Sequence, residues 1–173
     1  MECNLRPPSF YELITDKQRV VLSGEANGFS GVVTHVLKSQ NRKFDYAKDT
    51  ELIVAVPHSP LILIESLAAA YNPHIVAALS PAMDTKIFDL LSKGGIIIYN
   101  KEIASVAKAA EAERADIQII GITSAEADRE MKSAANRFSK EEKIAIGAAR
   151  ELSKKLGITP AQFEEGLSAY YNL

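Results

Sequence analysis

Short apolar runs alternate along this chain with segments whose apolar residues recur every three to four positions. The runs are Arg19 to Leu22, Leu52 to Val56, Leu61 to Ile64, His74 to Leu79, Ile96 to Tyr99 and Ile117 to Ile122. Most are rich in β-branched residues and apolar on both alternations, the pattern of strands covered on both faces. Between them, Val32, Val33, Val36 and Leu37 keep near-helical spacing, and Ser66 to Tyr71 suggests a short helix broken by Pro73. Ser80 and Pro81 mark a further helix start, with Ile87, Phe88, Leu90 and Leu91 as its apolar face. Lys101 to Glu113 is alanine-rich, carries Ile103, Val106 and Ala110 at helical spacing, and reads as a close-packed crossover. Glu141 to Leu156 is helical with Gly157 as C-cap, and Thr159 with Pro160 starts a last helix ending near Tyr170. Parallel neighbours need helical crossovers, so this alternation predicts a three-layer α/β fold with a doubly wound, mostly parallel sheet.

Prolines and polar clusters punctuate the pattern. Pro7 and Pro8 predict an extended arm over residues 1–8, and Ser9 is a plausible N-cap for a helix over Phe10 to Ile14, with Glu12 at capping-box spacing. Pro57 and Pro60 forbid one continuous strand from Leu52 to Ile64 and predict two strands around a turn. Phe44 to Tyr46 suggests a short edge strand after the polar Asn41, Arg42 and Lys43. Thr123 to Lys140 is polar and fits either a solvated helix or a loop.

Composition narrows the picture. With 173 residues and no linker or repeat, the chain suits a single domain over 1–173. A chain of this size buries roughly two thirds of its unfolded surface. A charged fraction of 24% and a net charge of -2 give no global reason to expect nucleic acid or an anionic membrane as partner. The single cysteine, Cys3, permits no internal disulfide and fits a reducing cytoplasm. Met1 to Ser9 lacks the apolar core of a secretory signal, and no apolar run approaches the ~20 residues that span a bilayer. The expectation is a cytoplasmic protein.

Chemistry concentrates in one stretch. After Val20, Val21 and Leu22 comes a loop with Gly24, Asn27, Gly28, Ser30 and Gly31, running into the helical pattern at Val32. Strand, glycine-rich loop and helix together form a phosphate site, because loop N–H groups and the helix N-terminus direct positive charge at the ligand. A working P-loop places a lysine after its second glycine. That position here is Phe29, and no Lys or Arg lies between Arg19 and Lys38. Glu65, at the carboxyl end of an expected strand, is the metal candidate, a single carboxylate where Mg²⁺ also needs substrate phosphates. His35, His58 and His74 lack metal-ligand spacing, and Tyr46, Tyr71 and Tyr99 are expected to pack against the sheet.

Several segments together resemble the central ATP-binding domain of the Mur ligase family, in the branch of UDP-N-acetylmuramate:L-alanine ligase and the murein tripeptide ligase. They are RPPSF at Arg6 to Phe10, HVLKSQNRKFDY at His35 to Tyr46, SPLILIE at Ser59 to Glu65 and YNPHIVAALS at Tyr71 to Ser80. GGIIIYNKE at Gly94 to Glu102 and KLGITPAQFEEGLSAY at Lys155 to Tyr170 complete the series in the family's order. The resemblance implies a P-loop-like fold and descent from enzymes that activate a carboxylate with ATP for attack by an amine. Those enzymes also carry a UDP-binding domain and a C-terminal domain for the incoming amino acid or peptide, for which this chain has no room.

Residue by residue, the family's site is depleted. Gly28, Phe29 and Ser30 keep the loop's glycine and hydroxyl without its lysine. Glu65 matches a magnesium ligand, but Ser66, Leu67 and Ala68 replace the acidic residues that follow it. The family's Asp-His pair falls at Asp84 and Thr85, and its adenine-side His-Asn segment at Glu141 and Glu142, with a later asparagine near Ala145. The expectation is a degenerate domain with no catalytic residue, no cofactor and a vestigial phosphate loop, acting as a binding or regulatory module. Its ligand or partner by analogy is a nucleotide, a UDP-sugar peptide or a cell-wall protein. The alternative is an ATP- and Mg-binding ligase component that works with other chains. If a pocket persists, Phe29→Lys is expected to improve nucleotide binding.

Overall fold

The computed structural model describes residues 17–23, 28–44, 52–55, 72–82, 85–112, 114–131 and 136–172. The elements are β1 (Gln18–Ser23), α1 (Phe29–Ser39), β2 (Leu52–Ala55), β3 (Ile75–Ala78), a 3₁₀ helix (Thr85–Leu90), β4 (Ile96–Asn100) and α2 (Ala104–Ala110). They continue with β5 (Gln118–Ile122), α3 (Ser124–Met131), α4 (Lys140–Lys155) and α5 (Pro160–Tyr171). The expected arm at 1–8, the helix after Ser9, the strand Leu61 to Ile64 and the helix Ser66 to Tyr71 lie outside the described residues.

The five strands form one parallel sheet in the order β2-β1-β3-β4-β5. Val20 stands opposite Val54 on one side and Ile75 on the other, and Ile98 bridges Ala77 and Ile120. The chain leaves β1 outward to β2 and returns to the far side for β3, so the order reverses between β1 and β3. In such sheets the carboxyl ends at the reversal border the crevice where ligands bind.

Alternate strand residues feed two cores. Val20, Leu22, Ile75, Ala77, Ile98 and Ile122 face a layer that includes Phe29, Val33, Ala145 and Phe163 from α1, α4 and α5. Val21, Val76, Ala78, Ile97 and Tyr99 face Phe88 and Leu91 in and beside the 3₁₀ helix and Val106 and Ala110 of α2. All four residues of β3 are buried, as expected for a central strand covered on both sides.

Several boundaries depart from the sequence reading. The helix expected over Lys101 to Glu113 shortens to Ala104–Ala110, because Asn100 Oδ1 accepts the Glu102 N–H at 2.9 Å and holds the start in a turn. No α-helix starts at Ser80: its hydroxyl accepts the Ala82 N–H at 3.2 Å, and the segment beyond forms the 3₁₀ turn Thr85–Leu90. Of the two readings left open for Thr123 to Lys140, the helix holds over Ser124–Met131 as α3, whose Ala127 and Met131 are buried four residues apart. At the C-terminal end, Ser139 with Glu142 and Thr159 with Gln162 form capping boxes on α4 and α5.

Candidate functional site

The carboxyl end of β1 and the N-terminus of α1 place part of the glycine loop at the reversal crevice. Gly28 is the N-cap of α1 at φ 81°, a conformation that glycine adopts without strain. Gly28 offers no side-chain cap to α1, whose N-terminus carries the positive end of the helix dipole. Phe29, the first helical residue, does not line that loop: its side chain is only 1% exposed and lies in the sheet core. Ser30 is half-buried beside it. Gly24, Asn27 and Glu65 lie outside the described residues, as do His58, Asp84, Tyr46 and Tyr71.

Two residues that nothing near the loop announces meet it in space. A Cβ added to Gly28 would lie 3.6 Å from the hydroxyls of both Tyr170 and Tyr171, and one added to Gly31 would lie 3.1 Å from Tyr170 Cζ. The last turn of α5 therefore roofs the first turn of α1, and Gly31 is small enough to admit it. The two tyrosine rings pack edge to face at 4.9 Å, Phe138 joins Tyr171 at 4.8 Å, and His35 meets Tyr170 at 5.5 Å. Burial raises the Tyr171 pKa, with a smaller push from the Glu142 carboxylate and from Tyr170. The phenol thus stays neutral, and the hydroxyls of both tyrosines stand over the first turn of α1.

Glu142 and Ala145, which the resemblance set beside an adenine, serve the fold. Glu142 accepts the Ser139 N–H at 2.7 Å as half of a capping box, and Ala145 is fully buried in α4. Thr85 begins the 3₁₀ helix. His35 is half-buried against Tyr170. His74 sits just before β3, at the amino end of the sheet and away from the crevice, where its Nδ1 accepts the Arg19 N–H at 3.0 Å. Burial first and Arg19 second lower the His74 pKa, which suits a neutral acceptor. Tyr99 packs on the sheet as expected and donates to Glu111 at 2.7 Å; burial and that carboxylate push its pKa up to about 12.

At the carboxyl ends of β4 and β5, Glu102 gathers three donor groups from two residues. Its Oε1 accepts the Ser124 N–H at 2.8 Å and hydroxyl at 2.7 Å, and its Oε2 pairs with Lys140 at 2.7 Å. Hydrogen bonds from Lys140 first and Ser124 second hold the Glu102 pKa down to about 2. This carboxylate satisfies the N-terminus of α3 and ties α4 to the sheet. Among the described residues no group of three or more His, Cys, Asp or Glu is arranged to hold a metal. Among them, too, no helix is long and apolar enough to cross a membrane.

Set against known proteins, the chain matches no family model, no curated protein and no solved structure.

Proposed function

We propose that this chain is a Mur-ligase-like domain that has given up ATP-dependent ligation and serves in the cytoplasm as a binding or regulatory module. The observation that carries this reading is the Tyr170 and Tyr171 pair seated over Gly28 and Gly31, with Phe29 turned into the core. Phosphoryl transfer depends on positioning and charge stabilisation of the transferring group. A loop without a lysine gives up a charge-assisted contact worth ~1.5 to 3 kcal/mol in the ground state. Phenols over the helix N-terminus compete for the same space. The resemblance to cell-wall ligases points to a cell-wall enzyme or a UDP-sugar peptide as the partner class.

The test is a thermal or urea melt with and without millimolar Mg-ATP. No saturable shift is expected. A ligand at a hundred times its Kd stabilises by ~2.7 kcal/mol, so a saturable shift of that order would overturn the reading in favour of an ATP-using ligase component working with other chains.

A further inference from the structure

At the opposite edge of the sheet from β2, the strand β5 reads QIIGI and contains no Lys, Pro or other charged residue. Charges, prolines and bulges are the devices that keep edge strands from pairing with other chains, and β5 has the first two nowhere along its length. Ile119 is 43% exposed, the one exposed large hydrophobic among the described residues. Among those residues, too, β5 pairs only with β4.

The hydrogen bonds show which groups face outward. The Gln118 N–H donates to Gly95 O at 2.9 Å, and Ile122 O accepts the Lys101 N–H at 3.0 Å, so residues 118, 120 and 122 address β4. Ile119 and Gly121 then direct their N–H and C=O groups away from the sheet. We propose that this edge pairs with the same edge of a second copy, antiparallel about a two-fold axis at Ile120.

Three features select a second copy and this register. With the axis at Ile120, Ile119 of each copy stands opposite Gly121 of the other, a hydrogen-bonded pair in which all outward groups of the strand are used. Centring on Ile119 instead would pair Gly121 with Ile117, whose N–H is already given to Arg114 O at 3.2 Å. The exposed isoleucine also meets a position without a side chain, where the Tyr99 phenol lies 2.9 Å from the Cβ that Gly121 lacks. Finally, Lys101 extends over Gly121, its Cδ 3.2 Å from that same point. Across the axis lies the groove of about 490 Å³ between α2 and β5, walled by Glu111, Arg114 and Ile119. Lys101 of one copy thus approaches Glu111 of the other, and symmetry makes the contact twice.

Analytical ultracentrifugation over a concentration series, with cysteine cross-linking, tests the pairing. The full chain is expected to dimerise, and Ile119→Lys to weaken association at least about tenfold while its circular dichroism melt stays cooperative. In a Cys3→Ser background, Ile120→Cys is expected to form a disulfide dimer, since facing residues of a non-hydrogen-bonded pair lie about 4.5 Å apart at Cα. Ile119→Cys, displaced from the axis, is expected to cross-link poorly. A monomer at every concentration, or an Ile119→Lys dimer as tight as the unsubstituted one, overturns the proposal. Cross-linking through residue 119 in preference to 120 overturns its register.

Discussion

Replacing Phe29 by lysine separates two accounts of the glycine loop. If the loop were an intact cradle lacking only its cation, Phe29→Lys would leave the fold alone and improve nucleotide affinity. In the structure Phe29 is 1% exposed and packs in the core shared by β1, β3, α1, α4 and α5. Truncating a buried phenylalanine costs about 3 to 5 kcal/mol, and a lysine adds the desolvation of its ammonium unless the stem reaches the surface. Domains of this kind have about 5 to 15 kcal/mol in total, so Phe29→Lys is expected to lose about a fifth or more of the stability. Phe29→Leu keeps an apolar core and should cost less than full truncation, below about 3 kcal/mol. Urea denaturation of the three proteins, followed by tryptophan-independent far-UV circular dichroism, reads the difference. A Phe29→Lys midpoint within experimental error of Phe29→Leu would refute the placement of this side chain, and a gain in ATP binding would restore the cradle.

Two further perturbations address the neighbourhood. Gly31→Ala should destabilise by about 1 to 3 kcal/mol despite alanine's better helix propensity, because its Cβ meets the Tyr170 phenol; removing the hydroxyl in Tyr170→Phe should relieve part of that cost, and strict additivity in the double-mutant cycle would disprove the contact. The folded pKa of Glu102 lies at about 2, below its ordinary 4.5, so its contribution to stability is complete above pH 4.5 and is lost as pH falls toward 2. Glu102→Gln should therefore be less stable than the unsubstituted protein at pH 6, with the gap closing in melts near pH 2.5; a gap unchanged across that window would show that Glu102 acts through shape alone.

The local pattern determines much of this molecule. Runs such as Val20 to Leu22, His74 to Leu79 and Ile96 to Tyr99 are apolar on both alternations because both faces of a central parallel strand are buried, and that constraint is visible residue by residue. Caps are equally local: Gly157 adopts φ 79° beyond α4, and Thr159 with Pro160 opens α5 as their chemistry requires. The stretch from Thr123 to Lys140 stayed open between helix and loop, because the two-residue apolar face of α3 is too sparse to show as periodicity; Thr123 and Glu126 exchange capping contacts at 3.1 and 3.2 Å that only the structure displays. Strand order was not legible, because the pairing of β1 with both β2 and β3 depends on contacts between segments far apart in the chain. At Gly28, Phe29 and Ser30 the sequence suggests a phosphate turn without its lysine, whereas the direction of Phe29 is set by the core that receives it. Tyr170 and Tyr171 lie at the other end of the sequence, and only the packing of α5 on α1 brings their hydroxyls over Gly28 and Gly31.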